Sequence, residues 1–186
     1  MTLAGTALPG DIVHVRSAGL YGWAIRTTLR SWGNHDGILV FHASHWYVAE
    51  ALTSAGFVLT PWSEYQARIH RARSAVCLFR HAGLTDSARS TIRDSALYFA
   101  GIGLKYDWRA IAWIGLNLLL RTAHARNHEH RWYCTEAVRD IYRRVDADVW
   151  AKSLPTPGTT AKRQQQGLLT LVAQLTPGQW PRYQPT

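Results

Sequence analysis

The hydrophobic pattern of this chain changes its period once, near residue 80, and that change limits the folds available to it. Before this point, short apolar runs rich in β-branched residues predict strands at 12–15, 38–41, 46–50, 56–60 and 75–79. One short helix, from Pro61 to about Arg71, is predicted among them. Strands first and helices afterwards indicate an α+β domain with an antiparallel sheet packed against helices, not an alternating βαβ order.

After residue 80, apolar residues recur at steps of three and four, which predicts helices. The apolar residues of the first helix recur from Leu84 to Phe99, with Thr85 or Asp86 as its N-cap and Gly101 or Gly103 at its end. A second covers 108–121, and a third begins at Cys134, where a new apolar stripe starts. The helical half therefore follows the sheet half along the chain.

A length of 186 residues fits one domain, 1–186, with a core of about 9–157. For the remainder, 158–186, we expect a loop with one weak amphipathic helix near 168–175. The N-terminus lacks the basic start and apolar run of a secretory signal, and no apolar stretch reaches the ~20 residues of a transmembrane helix. We therefore expect a cytoplasmic protein, or one delivered outside the cell by another route.

The formal net charge of +9 favours an anionic partner such as nucleic acid, an anionic membrane or a cell-wall polymer. The cations are mostly arginines scattered along the chain, so a solvated basic surface is the alternative. Because no zinc finger, RNA-binding aromatic signature or basic zipper accompanies them, we expect no specific nucleic-acid partner. Two cysteines make no disulfide framework and favour a reducing compartment.

Cys134 is the candidate nucleophile. It opens an apolar stripe at a helix N-terminus, where the helix dipole and unpaired N–H groups favour a thiolate and supply an oxyanion donor. The alternative is a small buried hydrophobic residue, which is also our interpretation of Cys77 inside a strand.

His35 and Glu50 are the candidate base and its orienting carboxylate. If the hairpin closes symmetrically around His42 and Ala43, then 41 faces 44 and His35 faces Glu50 on one side of the sheet. A carboxylate there can hold the imidazole in one tautomer and orientation. The alternative is that both residues are exposed strand ends.

A second histidine cluster, His124, His128 and His130 with Glu129, suggests a metal site. The residues do not follow the order of the zinc-binding motif HExxH, and the polar composition of the segment predicts a loop. We therefore expect no metal and no cofactor.

Four short segments carry a resemblance to a known family through their residues and their order along the chain. The segments are 10–13 (Gly-Asp-Ile-Val), 32–38 (Trp-Gly-Asn-His-Asp-Gly-Ile), 48–51 (Val-Ala-Glu-Ala) and 132–136 (Trp-Tyr-Cys-Thr-Glu). In this order they resemble the circularly permuted papain-like amidases, the YiiX/YebB-like relatives of the NlpC cell-wall peptidases. The resemblance covers about 9–157 and implies a permuted papain-like (NlpC-type) fold. Asp36 departs from it, since the family usually has an apolar residue there.

The resemblance implies that His35, Glu50 and Cys134 form a catalytic triad, the three residues that spacing also selects. It further implies a cysteine hydrolase that cleaves an amide or peptide bond in cell-wall-like or modified amino-acid substrates. Two alternatives stay open. One is a lipid acyltransferase or thioesterase with an acyl groove lined by Trp23, Trp32, Trp46 and Trp62; the other is a non-enzymatic binding module.

Overall fold

The computed structural model describes residues 6–107, 131–150 and 155–176. Its elements, in chain order, are β1 (Ile12–Arg16), α1 (Leu20–Leu29), β2 (His35–His42), β3 (His45–Leu52), β4 (Gly56–Pro61), α2 (Trp62–Arg71), β5 (Ala75–Arg80), α3 (Asp86–Gly101), β6 (Lys105–Tyr106), β7 (Arg131–Trp132), α4 (Cys134–Arg143), α5 (Pro157–Gln165) and β8 (Thr170–Leu175). No helix among these residues is long and apolar enough to cross a membrane. The helix predicted at 108–121 lies outside the described residues.

The main sheet has six strands in the order β4-β3-β2-β1-β5-β8, and every neighbouring pair is antiparallel. Strands β6 and β7 form a separate, parallel two-stranded sheet. The α+β class and the antiparallel sheet packed against helices are therefore confirmed.

Alternation along the strands divides the core between the two faces of the sheet. On one face, Ile38 and Val40 pack with α3 and α4, and Trp150 is buried there as well. On the other face, Leu39 and Val48 pack with α2. His35 and Glu50 have the parity of this second face, whereas Asp36 has the parity of the first.

The β2–β3 hairpin corrects the predicted register. The turn consists of Ala43 and Ser44, both at positive φ, and His42 pairs with His45. This is the twist that two-residue hairpin loops favour. The turn thus lies one residue further along than predicted, so Glu50 faces Gly37 and not His35. A pairing shift of two residues keeps both side chains on the same face, because strand side chains alternate with a period of two.

The tail also differs from the prediction. Residues 170–175 form an antiparallel strand on the edge of β5, not an amphipathic helix. Pairing with an available sheet edge satisfies their backbone groups and outweighs the weak local helical pattern. The helix lies earlier, where Thr156 and Thr159 make a capping box and Pro157 occupies the first turn.

The sequence prediction missed helix α1. The apolar residues of α1 do not mark one buried face, because Leu20 and Trp23 are 79% and 56% exposed in the structure. Gly22 also lies within the helix and interrupts its pattern. The start of α3 was predicted correctly, since the Thr85 side chain accepts a hydrogen bond from the Ala88 N–H.

Candidate active site

The three residues selected from the sequence lie together in the structure. His35 begins β2, Glu50 lies on β3, and Cys134 is the first residue of α4. His35 Nε2 donates to Glu50 Oε2 at 2.9 Å, and His35 and Cys134 line the same cavity. Since Nε2 serves Glu50, Nδ1 is the nitrogen left for the thiol. The site therefore brings together a thiol, an imidazole and a carboxylate, the set of groups that an activated nucleophile needs.

Gly37 makes room for this contact. It pairs with Glu50 across the hairpin, and a Cβ at Gly37 would lie only 2.8 Å from Val48 Cγ1 and 3.4 Å from Glu50 Cβ. His35 therefore reaches Glu50 diagonally, past a position without a side chain. Diagonal neighbours on one sheet face are within reach of long side chains.

The Glu50 carboxylate is fully buried and has three donors. Besides His35, the Thr60 hydroxyl donates to Oε1 at 2.7 Å, and Arg68 Nη2 donates to the same oxygen. Burial would raise the pKa of Glu50, but the hydrogen bond and charge of His35, the charge of Arg68 and the Thr60 hydroxyl hold it below its usual value. Glu50 is thus an anion beside His35 at neutral pH.

This environment stabilises a charged His35. Burial lowers the pKa of His35, but hydrogen bonds to Cys134 and Glu50, together with their negative charges, outweigh burial and raise it to about 10. The side chain remains 20% exposed. At neutral pH the imidazolium is therefore the stable form, which suits an ion pair with a thiolate.

Cys134 is 5% exposed and precedes the rest of a ten-residue helix. Tyr133 is the N-cap and its side chain makes no capping hydrogen bond, so it does not occupy the first N–H groups of the helix. Cys77 is equally buried but lies on β5 in the core cluster with Ile12 and Phe79, and burial raises its pKa to about 11. Only Cys134 combines a thiol with a base.

A buried network on the opposite face was not predicted. Asp36, fully buried, accepts hydrogen bonds from the hydroxyls of Thr135 at 2.7 Å and Thr160 at 2.9 Å, and from His14 Nδ1 at 2.5 Å. Asp36 follows His35 and Thr135 follows Cys134. The network therefore joins β2, which carries the candidate base, to α4, which carries the candidate nucleophile. On each element the joining residue is the one directly after the candidate catalytic residue.

Charge balance keeps Asp36 ionised in this site. Burial would raise its pKa, but the charge and hydrogen bond of His14 and the two hydroxyls hold it below the usual value. The sequence signal was available, since Asp36 is the polar residue that departs from the family pattern. Its partners were not predictable, because His14 and Thr160 are 22 and 124 residues away.

His14 is held tightly in this network. Its ring stacks on Trp32 with centroids 5.5 Å apart, and the loop crosses it at Gly33, where a Cβ would lie 2.4 Å from Nε2. A side chain larger than hydrogen at Gly33 would displace the ring. Trp32 thus packs against the core and does not line a groove.

A cavity of about 480 Å³ opens beside the triad. His35, Glu50 and Cys134 all line it, together with residues of α1, α2 and β3. None of Trp23, Trp32, Trp46 and Trp62 is among the described residues that line it, so this cavity is not the tryptophan-lined groove considered from the sequence.

The predicted histidine cluster cannot be placed, because 124–130 lies outside the described residues. Within 6–107, 131–150 and 155–176, no group of three or more His, Cys, Asp or Glu side chains could hold a metal ion.

Comparison with known proteins identifies a family and a structure to which this chain is similar. The model of the permuted papain-like amidase enzymes, YaeF/YiiX, C92 family, matches residues 6–176. The crystal structure of the metalloprotein yiiX from Escherichia coli O157:H7 is similar in fold, with a TM-score of 0.58 and 22% identity over 94% of this chain and 91% of that chain. None of the curated proteins matches the chain.

Proposed function

Since the chain belongs to the C92 family of permuted papain-like amidases, we propose that it hydrolyses amide or peptide bonds through a triad of Cys134, His35 and Glu50. One observation carries the proposal: His35, hydrogen-bonded to Glu50, lines a single cavity together with Cys134. A nucleophile, a base and an orienting group thus share one site, as covalent catalysis requires.

In the proposed mechanism, the Cys134 thiolate attacks the carbonyl carbon of the substrate. The backbone N–H of Cys134, at the N-terminus of α4, stabilises the developing oxyanion. The His35 imidazolium then gives its proton to the leaving nitrogen, and the amine departs. His35 next takes a proton from water, and the water oxygen attacks the thioester carbon. The C–S bond then breaks, the carboxylic acid leaves, and the thiolate and the imidazolium are restored.

Glu50 acts on His35 and not on the substrate. Its carboxylate accepts the Nε2–H, which orients the imidazole and stabilises the imidazolium of the resting enzyme and the imidazolium that forms when water attacks. Thr60 and Arg68 fix the carboxylate in turn. The net charge of +9 favours approach to an anionic cell wall or membrane.

A screen with amide, ester and thioester reporters tests the proposal. We expect turnover of at least one amide by the wild-type protein, loss of turnover in Cys134→Ala and His35→Ala, and an acyl adduct on Cys134 by mass spectrometry. Cys77→Ala is the matched control and should keep full activity. An adduct on Cys77, or equal activity in Cys134→Ala, would contradict the mechanism.

A further inference from the structure

Helix α1 presents apolar side chains that no other described part of the chain covers. Leu20 and Trp23, one turn apart, are 79% and 56% exposed. Ala24 and Thr27 lie on the same side of the helix and are exposed as well, whereas Gly22 is buried on the opposite side. Neither Leu20 nor Trp23 lines the cavity beside the triad. The candidate active site therefore leaves this side of α1 unused.

The segment that contains α1 carries positive charge without acidic partners. Residues 12–35 include Arg16, Arg26 and Arg30 but no aspartate or glutamate. Within the part of the chain that the structure describes, none of these arginines forms an ion pair with a carboxylate. Burial and the positive charge of Arg16 lower the pKa of Arg26, so these two cations repel each other. Arg16 and Arg30 are exposed and can neutralise an anion that approaches α1.

Exposed apolar side chains beside cations without acidic partners suit the surface of an anionic lipid bilayer. Leucine and tryptophan side chains enter the boundary between headgroups and acyl chains, and arginines bind the anionic headgroups. A soluble polyanion would neutralise the arginines but would leave Leu20 and Trp23 in water. A second copy of the chain, docked about a two-fold axis, would cover the apolar side chains but bring the arginines of both copies together.

We propose that α1 docks the protein on anionic phospholipid membranes. Leu20 and Trp23 insert at the level of the headgroups, and Arg16 and Arg30 bind the headgroup phosphates. None of these four side chains lines the cavity or belongs to the proposed triad, so docking does not depend on turnover. The Cys134→Ala protein should bind membranes as the wild type does, which tests docking separately from the proposed amidase function.

Co-sedimentation with lipid vesicles measures the docking. The vesicles contain either phosphatidylcholine alone or phosphatidylcholine mixed with phosphatidylglycerol, which is anionic. We expect tight binding only to the vesicles with phosphatidylglycerol, and weaker binding at high salt, because salt screens the attraction between arginines and headgroups. Equal binding to the two kinds of vesicle, or no binding to either, overturns the inference.

A matched pair of double variants tests the apolar contribution. Leu20→Ser with Trp23→Ser should raise the dissociation constant for phosphatidylglycerol vesicles at least about tenfold, because two apolar side chains no longer leave water. Tyr98→Ser with Ile102→Ser removes two side chains of similar exposure, 57% and 51%, from the end of α3 and should match the wild type. Equal effects of the two double variants would mean that α1 is not the docking surface.

A second matched pair tests the charge contribution. Arg16→Gln with Arg30→Gln should raise the same dissociation constant about 25-fold, since each cation near an anionic surface contributes about fivefold. Lys105→Gln with Arg143→Gln removes the same net charge from other exposed positions and should have a much smaller effect. Equal effects would show that the net charge of the protein, and not α1, attracts the vesicles, which overturns the inference.

Fluorescence quenching by phosphatidylcholine that is brominated close to the headgroup identifies the inserted ring. Trp23→Phe keeps an apolar side chain and should still bind the vesicles, but it should lose the largest part of the quenching that the wild type shows. Trp62→Phe, on α2, is the control and should keep both. Unchanged quenching in Trp23→Phe would contradict insertion of α1.

Two further measurements test the other occupants of this surface. If polyglutamate binds as tightly as the vesicles, and Leu20→Ser with Trp23→Ser leaves that binding unchanged, the partner is a soluble polyanion. If light scattering finds a dimer that the same double variant dissociates, the partner is a second copy of the chain. Either result overturns membrane docking, whereas a monomer that binds polyglutamate more weakly than vesicles supports it.

Discussion

Replacement of Glu50 by Gln tests the link between the carboxylate and the imidazole. In the native site Glu50 accepts three hydrogen bonds, one from His35 Nε2 on Oε2 and two, from Thr60 and Arg68, on Oε1. A glutamine has one acceptor oxygen and one amide that only donates. Whichever way it is oriented, its NH2 group faces a donor, either His35 or the pair of Thr60 and Arg68.

The size of the effect follows from what His35 loses. A hydrogen bond to a charged group contributes about 1.5–3 kcal/mol, and about 1.4 kcal/mol corresponds to a tenfold change in rate. We therefore expect kcat/KM of Glu50→Gln to fall about 10- to 150-fold, less than for His35→Ala or Cys134→Ala. Thr60→Val removes one uncharged donor from the same carboxylate and should cost less than Glu50→Gln.

The pH profile supplies a second measurement. The imidazolium is present below the His35 pKa of about 10 and is lost as the pH rises through that value. Glu50→Gln removes the negative charge that raises this pKa, and in one orientation of the amide it also removes the hydrogen bond. The alkaline limb of the kcat/KM profile should therefore move to lower pH. Circular dichroism and a thermal melt check that the variant is folded. A folded variant with wild-type rate and an unmoved alkaline limb would refute the role of Glu50.

Three further outcomes are expected. Iodoacetamide at neutral pH should label Cys134 well before Cys77, whose thiol is held neutral by its raised pKa of about 11; faster labelling of Cys77 in the folded protein would remove the main support for the site. Activity should survive EDTA, because the proposed mechanism uses no metal; loss in EDTA with recovery on adding zinc would overturn this. Thr135→Val removes the hydroxyl that donates a hydrogen bond to Asp36. It should lower kcat about tenfold at unchanged KM, whereas Thr135→Ser keeps a hydroxyl and should have the wild-type kcat. A fully active Thr135→Val would show that Asp36 does not position the nucleophile.

Much of this protein follows from local pattern. The period-two runs predict most strands of the sheet, and the stripe that begins at Cys134 predicts its place at the start of a helix. Parity also placed His35 and Glu50 on one face, although the turn lies one residue later than predicted. The prediction that His35 and Glu50 share one face of the sheet therefore holds although the predicted register is wrong by two residues. An error of one residue would have placed them on opposite faces.

Tertiary structure alone decided the rest. The strand at 170–175 exists because the edge of β5 is available to it, and its own residues favour a weak helix. Thr60 and Arg68 meet Glu50 only because β4 and α2 fold back over β3. Asp36 likewise depends on Thr160, which is 124 residues away. The periodicity of the sequence shows which face of its own helix or strand a residue occupies. Which residue it contacts on another element depends on how distant elements pack. A buried carboxylate is stable only where that packing supplies hydrogen-bond donors to it.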